Sequence, residues 1–213
     1  MTATAPQHTT APLENIVFDM GGVLMTFDAP YFARQHTENE EDAQLLAHAY
    51  FMRTEWSLLD SGTITPETMV RVAEASLPER LHPALHACAA TWQHHSQPLT
   101  ATNELAARLK RRGFHLYLLS NASIEIDRQL AHCPAYPLMS GRVVSGFERL
   151  MKPDPAIYQL LCERYNLDPA TCLFVDDNAN NCEGARVAGM AAYCFDGDAA
   201  ALERFIDAAA ARA

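Results

Sequence analysis

Asn15-Ile16-Val17-Phe18-Asp19-Met20-Gly21-Gly22-Val23-Leu24 decides the fold: a short apolar run reaches a carboxylate and then two glycines. Unbroken apolar residues over 15–19 predict a strand buried on both faces, as in a parallel sheet covered by helices. The same pattern recurs at 115–120, 172–176 and 191–195, with a short addition at 142–144. Helical periodicity fills the intervals at 102–112 before Gly113, 154–165, 181–188 before Gly189, and 199–211. Alternation of this kind predicts a Rossmann-like, doubly wound α/β fold.

Between the first two strands the chain runs far longer than one crossover helix requires. Residues 28–97 read as helical throughout: 40–59 is one long pattern closed by Asp60-Ser61-Gly62, Thr65-Pro66 opens another helix, and 81–92 is a third. An insertion after the first strand falls over the carboxyl edge of the sheet, where α/β proteins bind ligands. The expected organisation is a tail over 1–12, a core from 13–27 and 98–213, and a helical cap domain over 28–97.

Charge and composition narrow the partners. Lys and Arg number 16 against 26 Asp and Glu, a net charge of −10, and 49% of residues are hydrophobic. A globular core is affordable on this composition. The acidity disfavours nucleic acid, which requires basic stripes, and anionic membrane surfaces. No apolar run suffices for a membrane span, the first residues lack the basic and apolar regions of a signal peptide, and the six cysteines form no C-x-x-C pair. These features predict a cytoplasmic protein with reduced thiols.

Three strands end in polar residues suited to one shared site. Asp19 ends the first, Ser120-Asn121 the second and Asp176-Asp177-Asn178 the third; Lys152 lies at a helix entrance in Met151-Lys152-Pro153-Asp154-Pro155. Carboxylates crowding one edge would repel one another without a cation. Hard oxygen ligands of this kind suit Mg²⁺, with Asp19, the Gly21 carbonyl and Asp176 as ligands and Asp177 orienting them. Lys152, Ser120, Asn121 and the backbone at Gly22 would hold a phosphoryl group. Asp19 is also placed to act as a nucleophile.

The set of motifs resembles the haloacid dehalogenase (HAD) superfamily of hydrolases with a helical cap. Phe18-Asp19-Met20-Gly21-Gly22-Val23-Leu24, Leu119-Ser120-Asn121, Lys152-Pro153-Asp154-Pro155 and Phe174-Val175-Asp176-Asp177-Asn178, continuing to Asn181, Gly184-Ala185 and Gly189-Met190, stand in the family's order. The resemblance implies that Asp19 is an aspartyl nucleophile, that Ser120 and Lys152 contact phosphate, and that Asp19, Asp176 and the Gly21 carbonyl hold Mg²⁺. Family phosphatases usually carry a second Asp where this chain has Gly21, as general acid and base. The glycine form resembles a branch that includes glucose-1-phosphate phosphatase and weighs against a phosphoglucomutase.

The expected activity is Mg²⁺-dependent hydrolysis of small phosphorylated metabolites, sugar phosphates foremost. Two alternatives stand beside it: a HAD-fold regulatory protein with little turnover, motivated by Gly21, and a metal-independent 2-haloacid dehalogenase. His36, His48, His94 and His95 are candidates, by location, to replace the missing acid. His82 and His86, four apart on a helix but without the glutamate of H-E-x-x-H, read as surface residues. Trp56 and Leu59 read as cap core.

Overall fold

The computed structural model describes residues 11–211, so most of the expected 1–12 tail lies outside the described residues. Five strands, β1 (Asn15–Phe18), β2 (His115–Ser120), β3 (Gly141–Val144), β4 (Cys172–Asp176) and β5 (Ala191–Cys194), form one sheet. Their order is β3-β2-β1-β4-β5, and every neighbouring pair is parallel. The doubly wound α/β fold is as expected.

Alternation within the strands splits the core in two. Ile16, Phe18, Leu116 and Leu118 point to one face, where Leu105 and Leu109 of α6 (Thr100–Arg111) and Leu202 and Ile206 of α11 (Ala199–Ala210) cover them. Val17, Tyr117, Leu119 and Phe174 point to the other, under Tyr158 and Leu161 of α9 (Pro155–Tyr165) and Cys182 and Ala185 of α10 (Ala179–Val187). Burial on both faces is why these strands read as continuous apolar runs. Five of the six free cysteines are buried, serving as small apolar side chains.

Between β1 and β2, α1 (Ala29–Arg34), α2 (Glu40–Tyr50), α3 (Thr54–Asp60), α4 (Pro66–Glu74) and α5 (His82–Thr91) build a third core. Phe32, Leu46, Tyr50, Met69, Leu85 and Trp92 fill it. Thr65 caps α4 through its hydroxyl, which accepts from the Thr68 N–H at 3.2 Å, with Pro66 in the first turn. The single helix expected over 40–59 is two helices, broken at Phe51–Arg53, where Arg53 is extended. The break joins Phe51 to Trp56 at 5.0 Å and Tyr50 to Trp56 at 5.5 Å between ring centroids. On a straight helix residues five and six apart face different sides, so packing among the aromatics outweighs local periodicity. The 81–92 pattern is likewise subdivided, into 3-10 turns at Glu79–Leu81 and Trp92–His95 flanking α5.

Two short helices escaped the periodicity, α7 (Asp127–Leu130) and α8 (Ser145–Glu148), each a single turn. No helix among the described residues is long and apolar enough to cross a membrane.

Candidate active site

Register assembles the site. Phe18 pairs with Leu118 on one side and Val175 on the other, so the next residues, Asp19, Leu119 and Asp176, reach the carboxyl edge together. The Asp19 N–H donates to the Val175 carbonyl at 2.9 Å, extending the ladder one step past β1. Ser120 ends β2 and is buried, and Asp176 ends β4 with no exposed surface.

Lys152 enters this edge from the loop before α9. Its Nζ lies 2.8 Å from Asp19 Oδ1 and 2.6 Å from Asp176 Oδ2, and donates to the Leu119 carbonyl at 3.1 Å. Burial opposes the ammonium, but the Asp19 and Asp176 carboxylates outweigh it and hold the Lys152 pKa above its ordinary value. Lys152 is thus a fixed positive charge. Its backbone is clamped by the Asn121 side chain, which accepts from the Lys152 N–H and donates to the Lys152 carbonyl, both at 2.9 Å. One N–H of the Asn121 amide is therefore engaged in positioning the lysine, which leaves the other for the phosphoryl contact expected of it.

The carboxylates differ in how fully they are partnered. Asp176 accepts from Lys152, from the Asn178 N–H at 2.8 Å and from Asn181 Nδ2 at 3.1 Å. Asp19 is held more lightly: its buried Oδ1 meets the Lys152 ammonium at 2.8 Å. Burial pushes the Asp19 pKa up to about 6, with the Lys152 charge pulling it down and the Asp176 charge adding to the rise. Asp177 is also raised, by burial and then by Asp176. Its carboxylate lies over Gly22, where a Cβ would overlap Asp177 Oδ2; Gly22 also has φ +71°. The left-handed backbone favours glycine there, and any side chain would have to displace the Asp177 carboxylate.

Asp19, Asp176 and Asp177 each offer an oxygen within 4.8 Å of the others. Three carboxylates face one ammonium, so two negative charges remain for a divalent cation to balance. The convergence of these three carboxylates and their all-oxygen donor set fit Mg²⁺.

Above this edge lies a chamber of about 290 Å³. Asp19, Gly21, Gly22, Ser120, Asn121 and Asp177 form its floor; Phe27, Trp56, Asp60, Trp92 and Gln93 come from the insertion and its hinge; Glu125, Ile126 and Gln129 close a side. Lys152 and Asp176 sit just beneath. Trp56 belongs to this wall as well as packing on the insertion's core.

None of the four histidines considered as acids lines the chamber. His36 meets Thr91 Oγ1 at 3.3 Å, His94 meets His132 at 3.2 Å, and His48 is exposed. His86 pairs with Glu74 at 2.8 Å on the surface, as expected of it. The residues missed from sequence are Asp60, read only as helix punctuation, and Gln93, which lines the chamber and whose buried Oε1 has no hydrogen-bond partner among the described residues.

Comparison with known proteins agrees with this architecture. The family model for haloacid dehalogenase-like hydrolases matches residues 13–189. A phosphatase of Mycobacterium tuberculosis is 39% identical over 89 residues, 41% of each chain. An (S)-2-haloacid dehalogenase of a Pseudomonas strain is 33% identical over 102 residues, 44% of this chain and 40% of that protein. The matches thus span about two fifths of these relatives' lengths. In structure, a HAD family enzyme from Bacteroides thetaiotaomicron, solved as a magnesium complex, superposes with a TM-score of 0.68 at 21% identity, over 91% of this chain and 100% of the other. The match over 13–189 takes in four of the five strands and all the strand-end residues described above, and on that ground the chain belongs to the haloacid dehalogenase-like hydrolase family.

Proposed function

We propose that the protein is a Mg²⁺-dependent phosphatase of small phosphomonoesters, sugar phosphates foremost, acting through an aspartyl-phosphate on Asp19. The observation that carries this reading is the buried cluster of Asp19, Asp176 and Lys152 beneath the chamber, with Asp177 completing a set of three converging carboxylates. Asp19, Asp176 and the Gly21 carbonyl would hold the cation, with Asp177 beside them. When bound, Mg²⁺ supplies positive charge to the phosphoryl oxygens and to the attacking carboxylate.

The chain's own residues do the rest. Lys152 adds a second fixed positive charge, and Asn121 holds it in place. Ser120 and the backbone around Gly22 line the floor where the phosphoryl group sits. Residues 28–97 act as the cap: closure would exclude water while Asp19 attacks phosphorus, and opening would release the alcohol. In this reading the Gln93 amide would bond a sugar hydroxyl, while Trp56, Trp92 and Phe27, which line the chamber with it, would offer apolar faces to the ring. A cytoplasmic setting and a small phosphorylated metabolite complete the proposal.

A panel of phosphate esters assayed with and without Mg²⁺ tests it. Turnover that survives chelator unchanged defeats the metal-dependent reading. The dehalogenase relative gives a second reading some support, and halide release from 2-haloacids in chelator would establish it instead.

Two expected results bear on the site directly. Adding Mg²⁺ should raise the thermal midpoint of the protein, and Asp176→Asn should remove most of that rise, because linkage requires binding to the folded state. Gln93→Leu should raise KM for sugar phosphates about tenfold with a smaller change in kcat, as loss of one hydrogen bond to bound substrate predicts.

A further inference from the structure

We propose that Asp60, from the insertion, is the general acid and base of this reaction, replacing a carboxylate at position 21. The proposal rests on the phosphatase reading. An alcohol leaving phosphorus needs a proton. On the floor, Lys152 is tied to Asp19, Asp176 and the Leu119 carbonyl, Asp177 stands beside the cation ligands in the phosphatase reading, and position 21 has no side chain. Space is not the reason for that glycine. A Cβ at Gly21 would meet only Phe27 Cβ, at 3.9 Å, and the backbone there is not left-handed.

Asp60 ends α3 and lines the chamber together with Asp19 and Gly21. The core fixes its backbone at two points. Ser145 Oγ donates to the Asp60 carbonyl at 2.5 Å and accepts from the Ala122 N–H at 2.9 Å, which ties the turn to the loop following Ser120. Gly62, at φ +69°, lies against α8 so closely that a Cβ would overlap the Gly146 carbonyl. The turn carrying Asp60 is thus seated on the catalytic core. Burial, and then the Asp19 charge, push the Asp60 pKa up to about 8; the Ser123 N–H, Lys152 and Trp56 offset only part of the rise. A carboxyl group protonated near neutrality is the form that can give a proton.

The steps balance. Asp19 attacks phosphorus, the bond from phosphorus to the ester oxygen breaks, and that oxygen takes the Asp60 proton to leave as alcohol. Water then attacks phosphorus and gives a proton to the Asp60 carboxylate. The bond from Asp19 to phosphorus breaks, and inorganic phosphate leaves with both aspartates restored.

The test is kcat/KM for Asp60→Asn across phosphate esters whose leaving alcohols span a wide pKa range. The loss should be ~10²- to 10⁴-fold for an alkyl ester and shrink steadily toward nitrophenyl phosphate, whose leaving group needs little protonation. Adding Gly21→Asp to Asp60→Asn should recover at least about tenfold on the alkyl ester, within the range that acid–base help supplies. Equal loss on every ester, or none, overturns the assignment and leaves the phosphatase reading intact. In the wild type, which requires no variant to fold, kcat/KM should depend weakly on leaving-group pKa; a steep dependence also overturns it. If the wild type hydrolyses no ester at all, the phosphatase reading fails and the role of Asp60 fails with it.

Discussion

Asp19→Asn should lower phosphatase turnover by at least about 10⁴-fold, the scale seen when a nucleophile is removed from a site that otherwise stays intact. The substitution keeps shape and one carbonyl oxygen, which would turn toward the Lys152 ammonium now 2.8 Å from Oδ1. What disappears is the charge that attacks phosphorus and one of the three carboxylates that would draw in Mg²⁺. Stability should move the opposite way. The folded state holds the Asp19 proton with a pKa of about 6 against an ordinary 3.8, so it binds that proton more tightly than the unfolded chain does. The resulting stabilisation is complete below the ordinary value and is lost as pH rises through about 6. The amide of the variant does not titrate and escapes that loss. Without Mg²⁺, urea unfolding should therefore show the variant gaining on the wild type as pH rises across this window. A variant that keeps activity, or one that loses ground as pH rises, contradicts the assignment of Asp19 as a buried, charge-strained nucleophile.

Lys152→Met should cost about 3–5 kcal/mol of stability, the range for removing one partner of a buried ion pair. Methionine fills the volume of the side chain, so the cavity contribution is small. The electrostatic loss is not. Asp19 and Asp176, both buried, would face one another without the ammonium that lies 2.8 and 2.6 Å from them, and the Leu119 carbonyl would lose its donor. The Asn178 N–H and Asn181 still hold Asp176, so the cost should fall mainly on Asp19. Urea denaturation checks this: the midpoint should drop with little change in slope. Against a typical total of about 5–15 kcal/mol, such a loss leaves a marginal fold. Mg²⁺ should recover part of it by supplying charge to the same oxygens. Lys152→Arg should not substitute, because a planar guanidinium cannot point at two carboxylates and a carbonyl from the place of one nitrogen. A loss below about 1 kcal/mol, the value of an exposed pair, would show that the three charges are not coupled in the folded protein.

The sheet and its edge were legible because their causes are local in sequence. A strand covered on both faces must be apolar throughout, and the residue that follows it must leave the core; hence Asp19, Ser120 and Asp176 stand out as polar ends of apolar runs. Lys152 stands out among prolines at a helix entrance. The break at Phe51–Arg53 was not legible, since it answers to aromatic packing among Tyr50, Phe51 and Trp56. Asn121 was identified, but its clamp on Lys152 was not legible: a side chain at a strand end reads the same whether or not it also holds a backbone 31 residues away.

Sequence by itself determined the architecture, the order of the strand-end residues and the acidic character of the site, because strand burial imposes a pattern that survives without knowledge of the neighbours. Tertiary structure alone decided which residues face the chamber. Asp60 follows a helical stretch like any turn residue, and Gln93 precedes a pair of histidines that look more reactive than it is. The seating of Gly62 on Gly146, and the bond from Ser145 to the Asp60 carbonyl, join residues more than eighty positions apart. Contacts of that range depend on how two separately packed cores meet, and no local pattern records that meeting.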